Sequence, residues 1–170
     1  SLRDLGDALQ VEENGVTHDE NAFIKARAFF KQTAHMTLGE DSGLEVDALK
    51  GELGLYTRRF GAGEKASDEE WLKVFLERMS EFPDEKRGAR FVCSAALILE
   101  NGEEHLFHGV AEGVITHAPE AKILPGLPLS SVFKPKGYDR VYAALTKNEK
   151  AEISHRGLAI GKVREFLITQ

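Results

Sequence analysis

Two short stretches of the 170-residue chain gather side chains able to do chemistry. The first is Gly39-Glu40-Asp41-Ser42-Gly43-Leu44-Glu45-Val46-Asp47. Adjacent acids followed by Ser-Gly, after the apolar Met36 and Leu38, predict carboxylates at a strand end or in a tight turn, where Gly43 lets a backbone or ligand approach closely. Carboxylates so placed hold Mg²⁺ or take a proton from water. A solvated acidic turn fits the same residues, and spacing alone does not choose. Glu20 has a competing structural role as the third residue of a capping box. The second stretch is Lys147, Lys150, Ser154, His155 and Arg156, around a predicted helix start. Free N–H groups, a cap hydroxyl, His and Arg at one helix N-terminus suit an anion or a nucleobase edge. Ordinary helix starts prefer acids, so basic residues here run against the structural expectation; a solvated basic helix is the plain alternative.

Local signals supply the elements that must position these groups. Thr17 and Glu20 have capping-box spacing, and Ala22, Phe23, Ala26 and Phe30 then form one helical face, with Lys25, Arg27 and Lys31 assigned to water. Ser67, Asp68 and Glu70 open a second helix with Trp71, Leu72, Phe75, Leu76 and Met79 inward and Pro83 beyond its end. Phe91–Leu99 is apolar, Asn101-Gly102 is a strong turn, and His105–Ile115 returns, which together predict a β-hairpin. Residues 116–131 hold Pro119, Pro125, Gly126 and Pro128 and are expected to form a long surface loop. Thr146 and Glu149 repeat the capping-box spacing, and Ser154 caps a last helix whose apolar face uses Leu158, Val163, Phe166 and Leu167. His105 and His108, three apart on a strand, face opposite sides and do not share a metal.

Composition narrows the class. Apolar residues at 42% and charged residues at 29% exclude disordered and low-complexity readings, and the length suits a single domain. The net charge of −6 argues against a general DNA or RNA binder. It is unevenly spread: residues 1–133 carry 14 basic and 24 acidic side chains, while residues 134–170 carry 8 and 4. Cys93 is the one cysteine, so no internal disulfide forms, and its apolar surroundings predict a buried, inert thiol. The longest stretch free of Asp, Glu, Lys and Arg, Ile123 to Phe133, is too short to span a bilayer, and Ser1–Gln10 has no apolar run of a signal peptide. A soluble, cytoplasmic protein without a membrane partner is expected. There is no Walker A sequence, dinucleotide fingerprint or Gly-x-Ser-x-Gly elbow, and Gly61-Ala62-Gly63 is too short a signal for a phosphate loop.

Taken together these segments resemble the inosine triphosphate pyrophosphatase family, which hydrolyses non-standard purine nucleoside triphosphates. The resemblance runs through Ser1-Leu2-Arg3-Asp4-Leu5, Glu20-Asn21-Ala22, Lys25-Ala26-Arg27, Glu40 to Leu49, Arg90-Phe91-Val92-Cys93, Lys150 and Ile153-Ser154-His155-Arg156-Gly157. It implies an α/β fold with an elongated mixed sheet flanked by helices, two lobes and a central nucleotide cleft. It also implies one domain over residues 1–170, usually in a homodimer, and conversion of NTP and water to NMP and pyrophosphate with Mg²⁺. By matching position, Asp41 is the general base, and Glu20, Glu40 and Asp41 hold or orient the metal. Ser42, Lys150, Ser154, His155 and Arg156 contact the nucleotide. Hypoxanthine and xanthine present an oxo acceptor where adenine presents an amino donor, so donors on His155 and Arg156 favour the oxo bases.

Two departures accompany the resemblance. The family's first strand, its triphosphate-gripping loop with Ser or Thr, Asn and Lys, and the following helix have no counterpart in these residues. An incomplete chain, a different binding mode and a non-catalytic nucleotide-binding or dimerisation scaffold are each compatible with that. The family's Phe-Gly-Tyr-Asp-Pro segment is replaced by Leu127-Pro128-Leu129-Ser130-Ser131. Leu127 then packs on the base in place of an aromatic ring, Ser130 takes the place of a base-contacting acid, and base preference is expected to shift.

Overall fold

The computed structural model describes residues 11–50, 52–53 and 66–170. Ser1–Leu5 of the resemblance and Gly61-Ala62-Gly63 lie outside the described residues. In chain order the elements are α1 (His18–Thr33), β1 (Thr37–Val46), α2 (Asp68–Met79), β2 (Gly88–Ile98), β3 (Glu104–Ile115), β4 (Phe133–Pro135), α3 (Lys147–Ile153) and α4 (His155–Ile168), with short 3-10 turns between them. The strands lie side by side in the order β1-β2-β3-β4.

Local chemistry accounts for most boundaries. Ser67 with Glu70 and Thr146 with Glu149 form complete, reciprocal capping boxes. Ser154 both ends α3 and caps α4, accepting from the Gly157 N–H at 3.1 Å. The β2–β3 hairpin turns at Asn101-Gly102, where Gly102 takes φ +84°, a conformation that glycine adopts without a Cβ penalty. The α/β class is as expected. Where a mixed sheet was expected, however, the four described strands pair antiparallel throughout. Each enters the sheet from the end at which its predecessor left, so none of these pairs is parallel.

The acidic motif also differs from its reading as a strand end or turn. Glu40, Asp41, Ser42 and Gly43 lie in the interior of β1, paired in unbroken register with Ala95, Ser94, Cys93 and Val92. Two acids and two glycines make a poor strand by propensity. The long apolar β2 beside them imposes the extended conformation, as tertiary context commonly does in sheets.

The core is divided. At one end of the sheet Leu44, Val46, Ala89 and Ile115 pack with Leu49, Phe133 and the inner face of α2, where Trp71, Leu72, Phe75 and Met79 are buried. At the other end each face carries its own helix. Ala22 and Ala26 of α1 pack on Ala96 and Ile98, and Ala159 and Val163 of α4 pack on Cys93, Ala95 and Leu97. Ala159 takes the inward position expected of Leu158, which is 39% exposed. The cross-strand rows that contain Glu40, Asp41 and Ser42 run through Ala95, Ser94 and Cys93 at this second end. Residues 116–131 form the expected loop, closed by a 3-10 turn at Pro128–Ser131. No helix among the described residues is long and apolar enough to cross a membrane.

Candidate functional site on the two faces of β1

Successive side chains of a strand point to opposite faces. Asp41 therefore shares a face with Gly39, Ser94 and His108, and Glu40 shares the other with Ser42, Cys93, Ala95 and Gly109. The candidate site is divided by the sheet itself.

On the first face α1 comes close because residue 39 has no side chain: a Cβ there would lie 2.3 Å from the Ala22 carbonyl oxygen. His18, Ala22 and Lys25 recur at helical spacing along the contact. His18 Nδ1 meets Asp41 Oδ2 at 2.5 Å, and Lys25 Nζ donates to Asp41 Oδ1 at 2.7 Å and to Glu13 at 3.0 Å. The Asp41 side chain is only 12% exposed. Burial works to raise its pKa, but His18 and Lys25 outweigh burial and hold the carboxyl below the ordinary range. Burial likewise opposes the Lys25 charge, and Asp41 and Glu13 reverse the effect, so the ammonium is retained. Next along the row, Asp19 Oδ1 accepts from Ser94 Oγ at 2.6 Å and pairs with His108 Nε2 at 2.8 Å. Lys25, assigned to water on sequence grounds, is thus part of the site.

On the second face Glu40 Oε1 accepts from Ser42 Oγ, from Arg156 Nε at 3.0 Å and from Cys93 Sγ at 3.7 Å. Burial raises the Glu40 pKa, and the bonds from Ser42 and Arg156 more than reverse that, leaving it ionised at neutral pH. Cys93 is buried and its thiol is pushed up, chiefly by burial, in accord with an inert role. Gly109 admits the first turn of α4 to the sheet, since a Cβ there would fall 1.9 Å from the His155 carbonyl oxygen. The His155 ring stacks on Phe91, with centroids 5.2 Å apart and planes 16° from parallel. Phe91 in turn contacts Phe133 edge-on at 4.6 Å and Tyr142 at 6.2 Å, and Lys150 Nζ lies 5.7 Å from the Tyr142 centroid. Burial first, and then the neighbouring Arg156, lower the His155 pKa to about 4, so the ring is neutral at pH 7. Its Nδ1 is buried without a hydrogen-bond partner among the described residues. A buried polar atom left unpaired is costly unless a ligand or water completes it.

Several residues named from sequence meet here, and others do not. Ser42, Lys150, Ser154, His155 and Arg156 gather around Glu40 and the Phe91–Tyr142 aromatic pair. Glu20 is drawn elsewhere: its carboxylate accepts from the Val16 N–H at 2.6 Å, one residue before the Thr17 cap that takes the Glu20 N–H. Glu20, Glu40 and Asp41 therefore do not converge. Asp41 is satisfied by two side chains, Glu40 lies across the sheet, and no three His, Cys, Asp or Glu side chains among the described residues are grouped to hold a metal ion. Magnesium commonly takes one or two carboxylates and completes its shell with water and substrate phosphates, so a group of three is not what it requires. Leu127 is 56% exposed and open to a ligand. Ser130 is not: it is buried, and its hydroxyl donates to the Leu127 carbonyl at 2.6 Å, which closes the 3-10 turn. Sequence reasoning missed His18, Phe91 and Tyr142 as site residues. The spacing of His18, Ala22 and Lys25 was the available signal for the first, and isolated aromatics beside Arg90 and Val141 gave none for the others.

A family model described as the Ham1 family matches residues 1–166. A dITP/XTP pyrophosphatase of Exiguobacterium sibiricum is 41% identical over 169 residues, covering 99% of this chain and 84% of that protein. One from Streptomyces coelicolor is 40% identical over 92% of this chain and 79% of its own length. Among solved structures, the Staphylococcus aureus Ham1 protein superposes with a TM-score of 0.89 at 34% identity, covering 99% of this chain and 85% of that one. A HAM1 protein from Coxiella burnetii gives 0.85 at 37% identity over 95% and 81%. The family match over nearly the whole chain and these identities over most of both chains place it: the chain belongs to the Ham1 family.

Proposed function

We propose that this protein hydrolyses the α–β anhydride of non-canonical purine nucleoside triphosphates of the dITP and XTP type, releasing the monophosphate and pyrophosphate. The observation that carries the reading is the pairing of two unfinished groups, the orphaned His155 nitrogen and the Arg156 guanidinium, across one strand from a largely enclosed, ionised Asp41. His155 and Arg156 read the oxo edge of the base, Leu127 covers its face, and Ser42, Lys150 and the Ser154 turn contact the nucleotide. Asp41 takes the proton of the water that attacks the α-phosphorus, and Lys25 beside it supplies positive charge against the phosphate oxygens. Magnesium belongs to this reading as the ion that accompanies the triphosphate, and no step here passes through a protein-held metal. The reading further takes residues 1–170 as one domain of a cytoplasmic homodimer with no stable nucleic-acid or membrane partner.

Incubation with ITP, XTP, dUTP or ATP and Mg²⁺, followed by pyrophosphate release, tests the proposal. Release from ITP and XTP well above that from ATP is expected. No release from any of the four would overturn it.

A further inference from the structure

Arg156 is held by one corner of its guanidinium. Nε donates to Glu40 Oε1 at 3.0 Å, and the two terminal nitrogens have no partner among the described residues. The acceptor is itself fixed: Ser42 and Cys93 donate to the same oxygen, and Glu40 is pinned in β1 opposite Ala95. α4 has no acid in its first turn, so Glu40 supplies from the neighbouring strand the negative charge that a helix start favours. The absent side chain at Gly109 keeps that first turn against the sheet. Glu40 thus faces the helix that carries Arg156, with the sheet between it and Asp41.

We propose that Glu40 is a positioning residue for nucleobase recognition. By occupying Arg156 Nε it leaves the two terminal nitrogens as a preset pair of donors for O6 and N7 of a 6-oxopurine nucleotide. Arginine meets that edge with two hydrogen bonds, whereas adenine offers an amino donor in place of O6, and donor then faces donor. The stacked, neutral His155 next to it keeps a second like charge away from the guanidinium. This inference rests on the pyrophosphatase reading and deepens it, assigning Glu40 to the base and not to a metal.

The test is calorimetric titration of IMP into the full chain in EDTA, where a metal ligand has nothing to do. Glu40→Ala and Arg156→Ala are each expected to weaken IMP about tenfold, and the double variant to be no weaker than the weaker single variant, because the two act through one guanidinium. Glu40→Gln, whose amide oxygen still accepts from Nε, stays within about threefold of the wild-type protein. Glu40→Ala binding IMP as the wild type does, losses that multiply to about a hundredfold in the double variant, or a wild-type chain that takes up no IMP in EDTA would each overturn the assignment. Should Glu40→Ala lose its circular dichroism signal, Glu40→Asp goes through the same cycle with the same outcomes, since it keeps the charge but withdraws the oxygen by one methylene. A wild-type chain that binds IMP but cleaves no triphosphate overturns the parent reading alone, and an active chain with multiplying losses overturns the role of Glu40 alone.

Discussion

The two faces of β1 carry the same set of parts, a carboxylate, a cation and a histidine, wired differently. Toward α1, Asp41 has one oxygen on His18 and the other on Lys25, so its charge is fully enclosed by partners. Toward α4, Glu40 holds Arg156 by Nε alone, and the histidine leans on Phe91 with one ring nitrogen left unpaired. Around its carboxylate the first face is electrostatically closed and around its cation the second is open, although each face keeps one buried histidine nitrogen without a partner among the described residues, His18 Nε2 and His155 Nδ1. Enclosure suits a group that must stay ionised while a proton arrives, and unfinished donors suit a group that must still meet a ligand.

That division can be broken in steps, beginning with the largest expected effect. Asp41→Asn is expected to lower pyrophosphate release from dITP by about a thousandfold while leaving IMP affinity within about threefold, because a lost general base acts on turnover. Loss of IMP binding with turnover retained would reverse the roles of the faces. Gly109→Ala drives a methyl group into the His155 carbonyl and displaces the first turn of α4. A loss of about 2–3 kcal/mol in urea unfolding, with weaker IMP binding, is expected. Gly161→Ala, with nothing within 4 Å of the added carbon, is the control and gains a few tenths to about 1 kcal/mol in α4.

His155 sharpens the comparison through pH. Its folded pKa of about 4 lies below the ordinary histidine value, so the unfolded chain binds the proton first. Its contribution is complete above about pH 6.5 and declines as pH falls toward 4, by about 2 kcal/mol after allowance for partial exposure. Unfolding midpoints of the wild type and His155→Gln at pH 7.5 and 4.5 measure this, and an equal acid loss in both would remove the half-buried neutral ring from the account. The smallest expected effect is that of Ser94→Ala, which deletes one bond to Asp19: about 1 kcal/mol of stability, with pyrophosphate release unchanged.

Legibility in the sequence followed the range of the interaction. The Ser67–Glu70 and Thr146–Glu149 boxes, the Asn101-Gly102 turn and the Ser154 cap span four residues or fewer, and each lies where its local chemistry demands. The acidic motif did not behave that way. Gly39, Gly43 and two adjacent acids read locally as a turn, and only the cross-strand partners Ala96, Ala95, Ser94, Cys93 and Val92 hold them extended. Once they are extended, period-two alternation parts Glu40 from Asp41, which adjacency in the chain had suggested would act together. Glu20 shows the opposite case: its tie at the start of α1, accepting from the Val16 N–H, is local and was legible as a capping role.

The sequence by itself determined the inventory: which helices start where, the hairpin, the inert cysteine, and the Ser154-His155-Arg156 cluster with its resemblance to nucleotide pyrophosphatases. Only the tertiary structure decided which carboxylate faces which cation. That choice depends on strand register and on two missing side chains, at Gly39 and Gly109, which admit one helix to each face. Register and close approach are set by residues tens of positions apart, and the distribution of charge across a sheet follows from them.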